Sequence, residues 1–424
     1  MEWRKCSKEW DAPFHRIGKK PYWRYPRITD IFPWQHSGAQ LKRLWPIGES
    51  PQLLQERWEK LVSLPPDERK VAYHETRDRK VTGIYGPLTG TGDPEPSIAS
   101  LSRSAKSIEI ETYAYRSFDR QYVIKGSSVG DFMRPALWRA QSNRQLFLVG
   151  FLTNVVGRGP TVVASAAIPD LDNFRGSFGA RHVIPLYRDI DATQPNVTHG
   201  LLDFLSVSEE DLLAYVYGVL AQPAYVERFW DELELPPPHV PITKNAELFA
   251  QVAEHGRELI RWHTYGERFV RDDEHLVLDG TARNHKAVSQ TEYPNSFDYD
   301  EETRTLHVGD GEFGPVEPDV YHYSVSGLAV VKSWLGYRMK DRKGKKSSPL
   351  DDIRPEVWTF SKELLELLWV LERTIALQPA GKALLDKVLA SELWRADELP
   401  KPTEAERKPP KVAPAATDQL ELGV

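Results

Sequence analysis

The residues best suited to chemistry in this sequence are glycine, acid and histidine clusters, and each lacks part of the site that it suggests. Gly309, Gly311 and Gly314 in GDGEFG have the G-x-G-x-x-G spacing of a dinucleotide-binding turn. Such a turn needs a following helix whose N-terminal amides meet the pyrophosphate, whereas Pro315 and Pro318 lead into a strand-like segment. The spacing therefore indicates a glycine-rich β-turn.

The acids and histidines are equally incomplete. His74 and Glu75 are adjacent in YHET, where a helix would point them apart. Asp170 and Asp172 lack the acid-x-Lys pair of a nuclease, which favours a turn capped by aspartates. Three further histidines among apolar residues are best explained as core histidines: His182, His263 and His322. We therefore expect no catalytic residues, no metal site and no bound cofactor.

The chain does contain basic residues interleaved with aromatic ones, in AYRSFDRQYV, RPALWRAQSNR and VVKSWLGYRMKDRKGKK. Arginine offers a planar fork of donors to phosphates and guanine, and Trp or Tyr can stack on exposed bases. The candidate DNA contacts are Arg116, Arg120, Arg134, Arg139, Arg144, Arg338, Lys340, Arg342, Lys343, Lys345 and Lys346. The alternative is structural, with the aromatic residues in the core and Arg116 and Arg120 paired with Asp119 and other acids.

The elements that must position these residues predict an α+β fold. Residues 105–190 contain short β-rich segments (QYVIK, QLFLVGFLT, TVVASAAI, HVIPLYR), which predict a mixed or antiparallel sheet. Alternating apolar residues around a polar turn predict a β-hairpin over 297–308. Apolar residues at helical spacing predict helices within 51–80, after Ser208 with Asp211 as an acidic capping box, from near Asn245 and over 361–377.

Composition sets further limits. The 424 residues contain no apolar run of about 18 residues, and the charged N-terminus is unlike a signal peptide, so we expect a cytoplasmic protein. The single cysteine, Cys6, excludes an internal disulfide framework and a cysteine-cluster zinc site. The net charge of −6 argues weakly against DNA, but residues 1–45 hold ten Lys or Arg against four acids, and 338–346 hold six against one.

Residues 1–50 are rich in Pro, Trp and Arg without helical or strand periodicity. We therefore predict an extended N-terminal arm that orders only against a partner. Tryptophan is enriched in interface hot spots, and the predicted anchors are Trp10, Trp23, Trp34 and Trp45.

Seven blocks occur in an order that resembles a known family: YAYRSFDRQYV, RPALWRA, NRQLFLVG, ASAAIPDLDNFRGSFGARHVIPLY, EEDLLAYVYGVLAQPAYVERF, PPPHVPITKNAELFAQVAEHGRELIRWH and VVKSWLGYRM. Together they resemble the C-terminal specificity region of type ISP restriction–modification enzymes and related adenine-specific DNA methyltransferases, over about residues 30–377. In that family, a segment similar to TDIFPWQHSGAQLKRLWPIG comes where the methyltransferase core meets the target recognition domain.

The resemblance implies a DNA target-recognition module for a restriction–modification or phage-defence system. The implied organisation is a docking arm (1–50), a helical linker (51–104), a target recognition domain (105–377), a terminal helix (378–396) and a disordered tail (397–424). The family's Asn-Pro-Pro-aromatic motif and cofactor-binding glycine turn are absent. We therefore expect a separate adenine-N6 methyltransferase to bind S-adenosylmethionine and act with this chain.

Alternatives remain open at this point. The chain is either a stand-alone specificity subunit, which its N-terminus favours, or the downstream half of a broken methyltransferase gene. A protein-interaction subunit of a defence complex would suit the acidic net charge, and an unrecognised enzyme would show a deep pocket with convergent acids. One continuous basic face joining Arg116, Arg134, Arg139 and residues 340–346 would favour DNA recognition.

Overall fold

The computed structural model describes residues 20–150, 157, 159–174, 182–235, 237–270, 277–341 and 347–411, and it confirms the α+β class. The helices are α1 (Ile28–Ile31), α2 (Pro51–Ser63), α3 (Pro66–Tyr73), α4 (Pro135–Trp138), α5 (Leu201–Leu205), α6 (Glu209–Leu220), α7 (Pro223–Arg228), α8 (Ala246–His263), α9 (Pro318–Tyr321), α10 (Val330–Gly336) and α11 (Ser361–Ala390). The strands are β1 (Ile47–Gly48), β2 (Ile110–Arg116), β3 (Asp119–Ile124), β4 (Phe147–Gly150), β5 (Val162–Ser165), β6 (Ile168–Pro169), β7 (His182–Pro185), β8 (Arg283–Lys286), β9 (Phe297–Asp300), β10 (Thr305–Val308), β11 (Gly311–Gly314), β12 (Ser324–Val325) and β13 (Leu328–Ala329).

A three-stranded antiparallel sheet, ordered β5-β4-β7, separates two hydrophobic cores. Successive side chains of a strand point to opposite faces, and β4 follows this rule strictly. Phe147 and Val149 belong to one core, whereas Leu148 belongs to the other. Both faces of this short sheet are therefore covered, which explains why its strands are apolar at nearly every position.

The core on one face is helical and is built on α6, α7 and α8. The N-cap half of the capping box predicted for α6 is confirmed, because the Ser208 hydroxyl accepts a hydrogen bond from the Asp211 amide at 3.1 Å. The Asp211 carboxylate accepts from the Ser208 hydroxyl at 2.7 Å. Asn245 caps α8 in the same way through the Leu248 amide at 2.9 Å. The two helices approach closely at Gly256, where a Cβ would overlap the Ala214 carbonyl.

The core on the other face holds two further sheets, ordered β1-β3-β2-β6 and β8-β11-β10-β9. The predicted hairpin over 297–308 is β9 and β10. Within GDGEFG, Gly309 and Asp310 form the expected turn from β10, and the remaining four residues are β11 itself. Helix α11 runs unbroken through Pro379, so the predicted helix over 361–377 and the predicted terminal helix are one element. Of the helices described in residues 20–411, none combines the length and apolar character needed to cross a membrane.

Trp34 and Trp45 are ordered without a partner protein, because both side chains are fully buried in the chain's own cores. Asn196, which lies 162 residues further along, bonds the Trp34 amide and carbonyl at 3.0 and 2.7 Å. The Trp45 indole donates to the Tyr73 carbonyl at 3.1 Å. The prediction is therefore wrong for these two anchors, since distant segments supply the pockets that the local pattern could not reveal.

The other two predicted anchors differ from this pair. Trp23 is half-buried and packs edge-on against Tyr22 and His239, so its partner role stays a prediction. Trp10 lies outside the described residues.

The C-terminal segment, residues 391–411, returns to the N-terminal residues and is not disordered. The Ala396 amide donates to the Arg24 carbonyl at 2.8 Å, and the Arg407 guanidinium bonds the Asp30 carboxylate at 3.0 Å. The Arg188 side chain donates to the Glu406 carbonyl at 2.9 Å. The predicted disordered tail is therefore wrong for residues 397–411, and residues 412–424 lie outside the described part.

Candidate nucleic-acid interface

Arg116, at the end of β2, is buried and used inside the protein. Its guanidinium bonds the Asp170 carboxylate at 3.0 Å and the Tyr337 hydroxyl at 3.3 Å, and it lies 4.0 Å from the centre of the Tyr115 ring. The Tyr113 hydroxyl also donates to Asp170, at 2.7 Å. Arg116 thus joins β2 to the loop after β6 and to the end of α10, and this position does not support the predicted DNA contact.

Arg338 is placed in the same way. Its guanidinium bonds the Asp119 carboxylate at 2.7 Å and the Trp334 carbonyl at 3.1 Å, and both charged side chains are almost fully buried. Arg338 and Met339 begin the basic run 338–346, yet both side chains are buried. The aspartate that neutralises Arg338 lies 219 residues earlier, so the basic run gave no sign of it.

Arg120 and Arg144 reach the surface, but each is paired with acids. Arg120 bonds Glu267 at 3.3 Å and Glu366 at 3.0 Å. Arg144 bonds Glu210 at 3.3 Å. These ion pairs follow the structural alternative, and DNA contact by either arginine stays a prediction.

Lys340 is exposed, and its backbone is fixed by a 2.8 Å bond from its amide to the Pro294 carbonyl. Four predicted contacts lie outside the described residues: Arg342, Lys343, Lys345 and Lys346.

Arg134 and Arg139 flank the short helix α4 and differ from the other candidates. Neither has a carboxylate within ion-pairing distance among the described residues. The Arg134 Nε donates to the Gly38 carbonyl at 3.2 Å, and the backbone φ of +61° at Arg134 is uncommon for a residue with a side chain. Burial lowers the pKa of both guanidinium groups. Since arginine stays protonated, the two charges are partly dehydrated and lack a counter-charge.

His36 and Phe132 complete this surface, which we call the arginine patch (His36, Phe132, Arg134 and Arg139). His36 stands two residues before Gly38, whose carbonyl accepts from Arg134. Burial lowers the pKa of His36, and the charges of Arg134 and Arg139 lower it further. The Phe132 ring lies 5.1 Å from the Arg134 guanidinium carbon. The patch therefore combines two uncompensated cations with an aromatic ring and can attract an anion.

The strap, residues 36–42, holds the arginine patch together by backbone pairing with three elements. His36 exchanges hydrogen bonds with Val183 of β7 at 2.9 and 2.7 Å, and Gln40 exchanges two with Phe132 at 2.8 Å each. The Ala39 carbonyl accepts from Leu171 at 2.6 Å. A Cβ at position 38 would lie 2.7 Å from the Asp170 carbonyl oxygen, so only glycine allows this close crossing.

A family model, the Type ISP C-terminal specificity domain, matches residues 30–368. The chain belongs to the Type ISP C-terminal specificity domain family. This confirms the resemblance drawn from the seven sequence blocks. No curated protein matches the chain.

Three solved structures resemble this specificity domain at 16% identity. A cryoEM DrdV–DNA complex has a TM-score of 0.59 and matches 88% of this chain and 39% of its own. LlaBIII bound to DNA, an ATP-dependent Type ISP restriction–modification enzyme, has a TM-score of 0.56, with 86% and 24% covered. A nuclease-deletion mutant of LlaGI with a DNA substrate mimic has a TM-score of 0.53, with 90% and 30% covered. The specificity domain thus spans well under half of each relative, and the likeness shows the shared fold.

Sequence reasoning identified Arg134 and Arg139 of the specificity domain as candidates but missed His36 and the strap. One signal was available: Ala39 and Leu41 are buried while Gln40 and Lys42 reach the surface, a strand-like alternation too short to stand out. Lys42 is compensated by Asp78 at 2.9 Å, so it adds little free charge. Among the described residues, no group of three or more His, Cys, Asp or Glu side chains could hold a metal ion.

Proposed function

We propose that this chain recognises a DNA target sequence for a type ISP-like restriction–modification or phage-defence system. The observation that carries the proposal is the arginine patch, where Arg134 and Arg139 are partly buried and have no carboxylate partner in the part of the chain that the structure describes. Burying a charge without a partner is costly. A phosphate group supplies the missing counter-charge and accepts the guanidinium donors. Family membership and the DNA-bound relatives support the same proposal.

A net charge of −6 does not oppose this function, because affinity for DNA depends on the local arrangement of cations. Most acids that lie beside candidate arginines are already used in ion pairs, as at Asp170, Asp119 and Glu366. The positive charge that can bind an external anion therefore lies where an arginine has no acidic side chain beside it. The arginine patch is such a place.

We further propose that the chain acts with a separate adenine-N6 methyltransferase, which binds S-adenosylmethionine. The sequence motifs for cofactor binding and methyl transfer are absent from this chain. Isothermal calorimetry with S-adenosylmethionine is expected to show no binding to the purified chain. Micromolar binding of S-adenosylmethionine at one site per chain would contradict the proposal that a separate methyltransferase binds the cofactor.

The test of DNA recognition is a double variant, Arg134→Gln and Arg139→Gln. We expect weaker binding to random and specific duplexes, and a plot of log affinity against log salt that is flatter by about 0.9 per lost phosphate contact. Fluorescence anisotropy from about 50 to 200 mM salt measures both, since counterion release makes the losses large in this range.

A matched control removes two cations that already have partners. Arg228 pairs with Asp386 at 2.9 Å and Arg304 pairs with Glu317 at 2.7 Å, all of them exposed. The double variant Arg228→Gln and Arg304→Gln changes the net charge equally and is expected to leave the slope unchanged. Equal effects of the two double variants would reduce the arginine patch to a general contribution of net charge.

A further inference from the structure

Gln40 lies on the strap beside the arginine patch, and its side chain shares a face with Phe132. The two residues form an antiparallel pair with both backbone hydrogen bonds at 2.8 Å, and directly opposed residues of such a pair project their side chains to the same side. The neighbours of Gln40 in the strap, Ala39 and Leu41, are buried. Gln40 is therefore held rigidly by its backbone while its side chain reaches the surface next to the cations.

The Gln40 side chain is half-buried, and its amide is uncommitted. It makes no hydrogen bond to another residue within the described ranges. The half-buried Gln141, in comparison, donates its side-chain amide to the Ala166 carbonyl at 3.1 Å. A fixed backbone and a free amide leave both the donor and the acceptor of Gln40 available to an outside group.

The chemistry of this amide differs from that of its neighbours. Arg134 and Arg139 carry charge and suit phosphates, which hold a protein in register without selecting sequence. A neutral amide gains little from a phosphate but matches adenine, whose N6 amino group donates to the amide oxygen while N7 accepts from the amide nitrogen. Arg134 and Arg139 can thus bind phosphates while the neighbouring Gln40 amide bonds a base edge, and sequence recognition uses both kinds of contact.

Resting on the DNA recognition proposed above, we infer that Gln40 determines specificity by selecting an adenine at one position of the target through its major-groove edge. Arg134 and Arg139 set the register, the paired backbone of the strap fixes the distance, and the Gln40 amide makes the selective contact. Phe132 limits the conformations open to the amide.

The test is the selection of bound duplexes from a random-sequence library by the full chain, followed by sequencing. Wild type is expected to enrich a motif containing an adenine that depends on residue 40. Gln40→Ala should lower the preference for that adenine by about tenfold, because a bidentate base contact contributes discrimination of this order. Gln40→Glu should shift the same position towards cytosine, whose N4 amino group donates to a carboxylate. All other positions of the motif should be unchanged.

Gln52→Ala is the matched control, because Gln52 is an exposed glutamine bonded within its own helix to Glu56 at 3.0 Å. Thermal unfolding is expected to be the same for the three variants, and Gln40→Glu answers the question alone if Gln40→Ala does not fold. An unchanged motif in both Gln40 variants overturns this inference while DNA recognition stands. Equal weakening at all sequences would make Gln40 a backbone contact and overturns it as well. A wild-type chain that enriches no motif overturns the proposed function together with it.

Discussion

The turn between β2 and β3 and the arginine patch use the same side chain in opposite ways. Around the turn, Arg116 and Arg338 are buried and matched with Asp170 and Asp119 at 3.0 and 2.7 Å. In the arginine patch, Arg134 and Arg139 are only partly buried, and no described residue supplies such a match. An aspartate beside an arginine therefore marks a connection within the fold. Where no aspartate is supplied, the charge is left for a ligand.

The largest expected difference between the two regions is in stability. Arg116→Met leaves Asp170 buried without its partner and should lower the free energy of unfolding by about 3–5 kcal/mol, the range for removing one member of a buried ion pair. Arg134→Met should lower the free energy of unfolding by less than about 1 kcal/mol, because the substitution leaves no described carboxylate without its partner. Urea unfolding followed by circular dichroism measures both.

A double variant, Arg116→Met with Asp170→Asn, separates lost charge balance from lost packing. The double variant should be more stable than Arg116→Met, since the neutral asparagine amide at position 170 can still accept the hydrogen bond of the Tyr113 hydroxyl. Equal losses in Arg116→Met and Arg134→Met would remove the distinction between the two regions.

A second prediction concerns His263, whose imidazole is buried in its neutral form, whereas the guanidinium of Arg116 is buried in its charged form. The Thr374 hydroxyl donates to the Val370 carbonyl at 2.6 Å and so accepts from His263 Nε2 at 2.9 Å, which leaves Nδ1 to accept from the Tyr217 hydroxyl. Burial, assisted by the charge of His255, lowers the pKa of His263 to about 3.

The unfolded chain, with a histidine pKa of about 6.5, therefore binds a proton that the folded chain excludes between pH 6.5 and 3. Stability from His263 is complete above pH 6.5 and is lost as the pH falls through this window. Unfolding free energies of wild type and His263→Gln, measured between pH 7 and 4, should show a flatter dependence in the variant. Parallel curves would contradict a neutral buried His263.

The third prediction tests whether charge outside the arginine patch adds affinity without selectivity. Lysine ammonium groups on flexible stems act as point charges. Changing Lys340, Lys343, Lys345 and Lys346 to Gln should weaken binding to cognate and random duplex alike and flatten the salt dependence by about 0.9 per lost contact. The same anisotropy titrations check this, and an unchanged slope would assign these lysines to a solvated surface.

The smallest effect is expected at Arg120, which is exposed yet paired with Glu267 and Glu366. Surface ion pairs contribute about 0–1 kcal/mol, so Arg120→Gln should change the unfolding free energy by no more than this. A loss as large as that of Arg116→Met, in the same urea experiment, would show that the two classes of arginine are not distinct.

Local signals predicted the local structure well. The cap at Ser208, the helix beginning near Asn245 and the hairpin over 297–308 depend on residues a few positions apart, and all three are confirmed. The roles of Trp34 and Arg116 depend on partners 162 and 54 residues away. A tryptophan without local periodicity looks like an interface anchor, and an arginine among tyrosines looks like a DNA contact, until those partners are known.

The candidate site was predictable only in part for the same reason. Arg134 and Arg139 were found because basic and aromatic residues alternate around them in the sequence. To distinguish these two arginines from the arginines in ion pairs, one must know which arginines have a carboxylate nearby. Only the folded structure gives this information. The position of the half-buried Gln40 side chain depends on the backbone pairing between the strap and Phe132, and neither segment predicts that pairing alone.

The return of the C-terminal segment to the N-terminal residues has a consequence for biosynthesis. Asp30 receives its ion pair from Arg407, made 377 residues later, and the Arg24 carbonyl receives its hydrogen bond from Ala396. During synthesis the segment around α1 must therefore stay without these partners until residues 396 and 407 have been translated. These contacts need residues more than 350 positions apart, whereas the pairing of β2 with β3 needs only neighbouring residues. A ribosome stalled before residue 396 would hold a chain in which Arg24 and Asp30 lack both of these C-terminal partners.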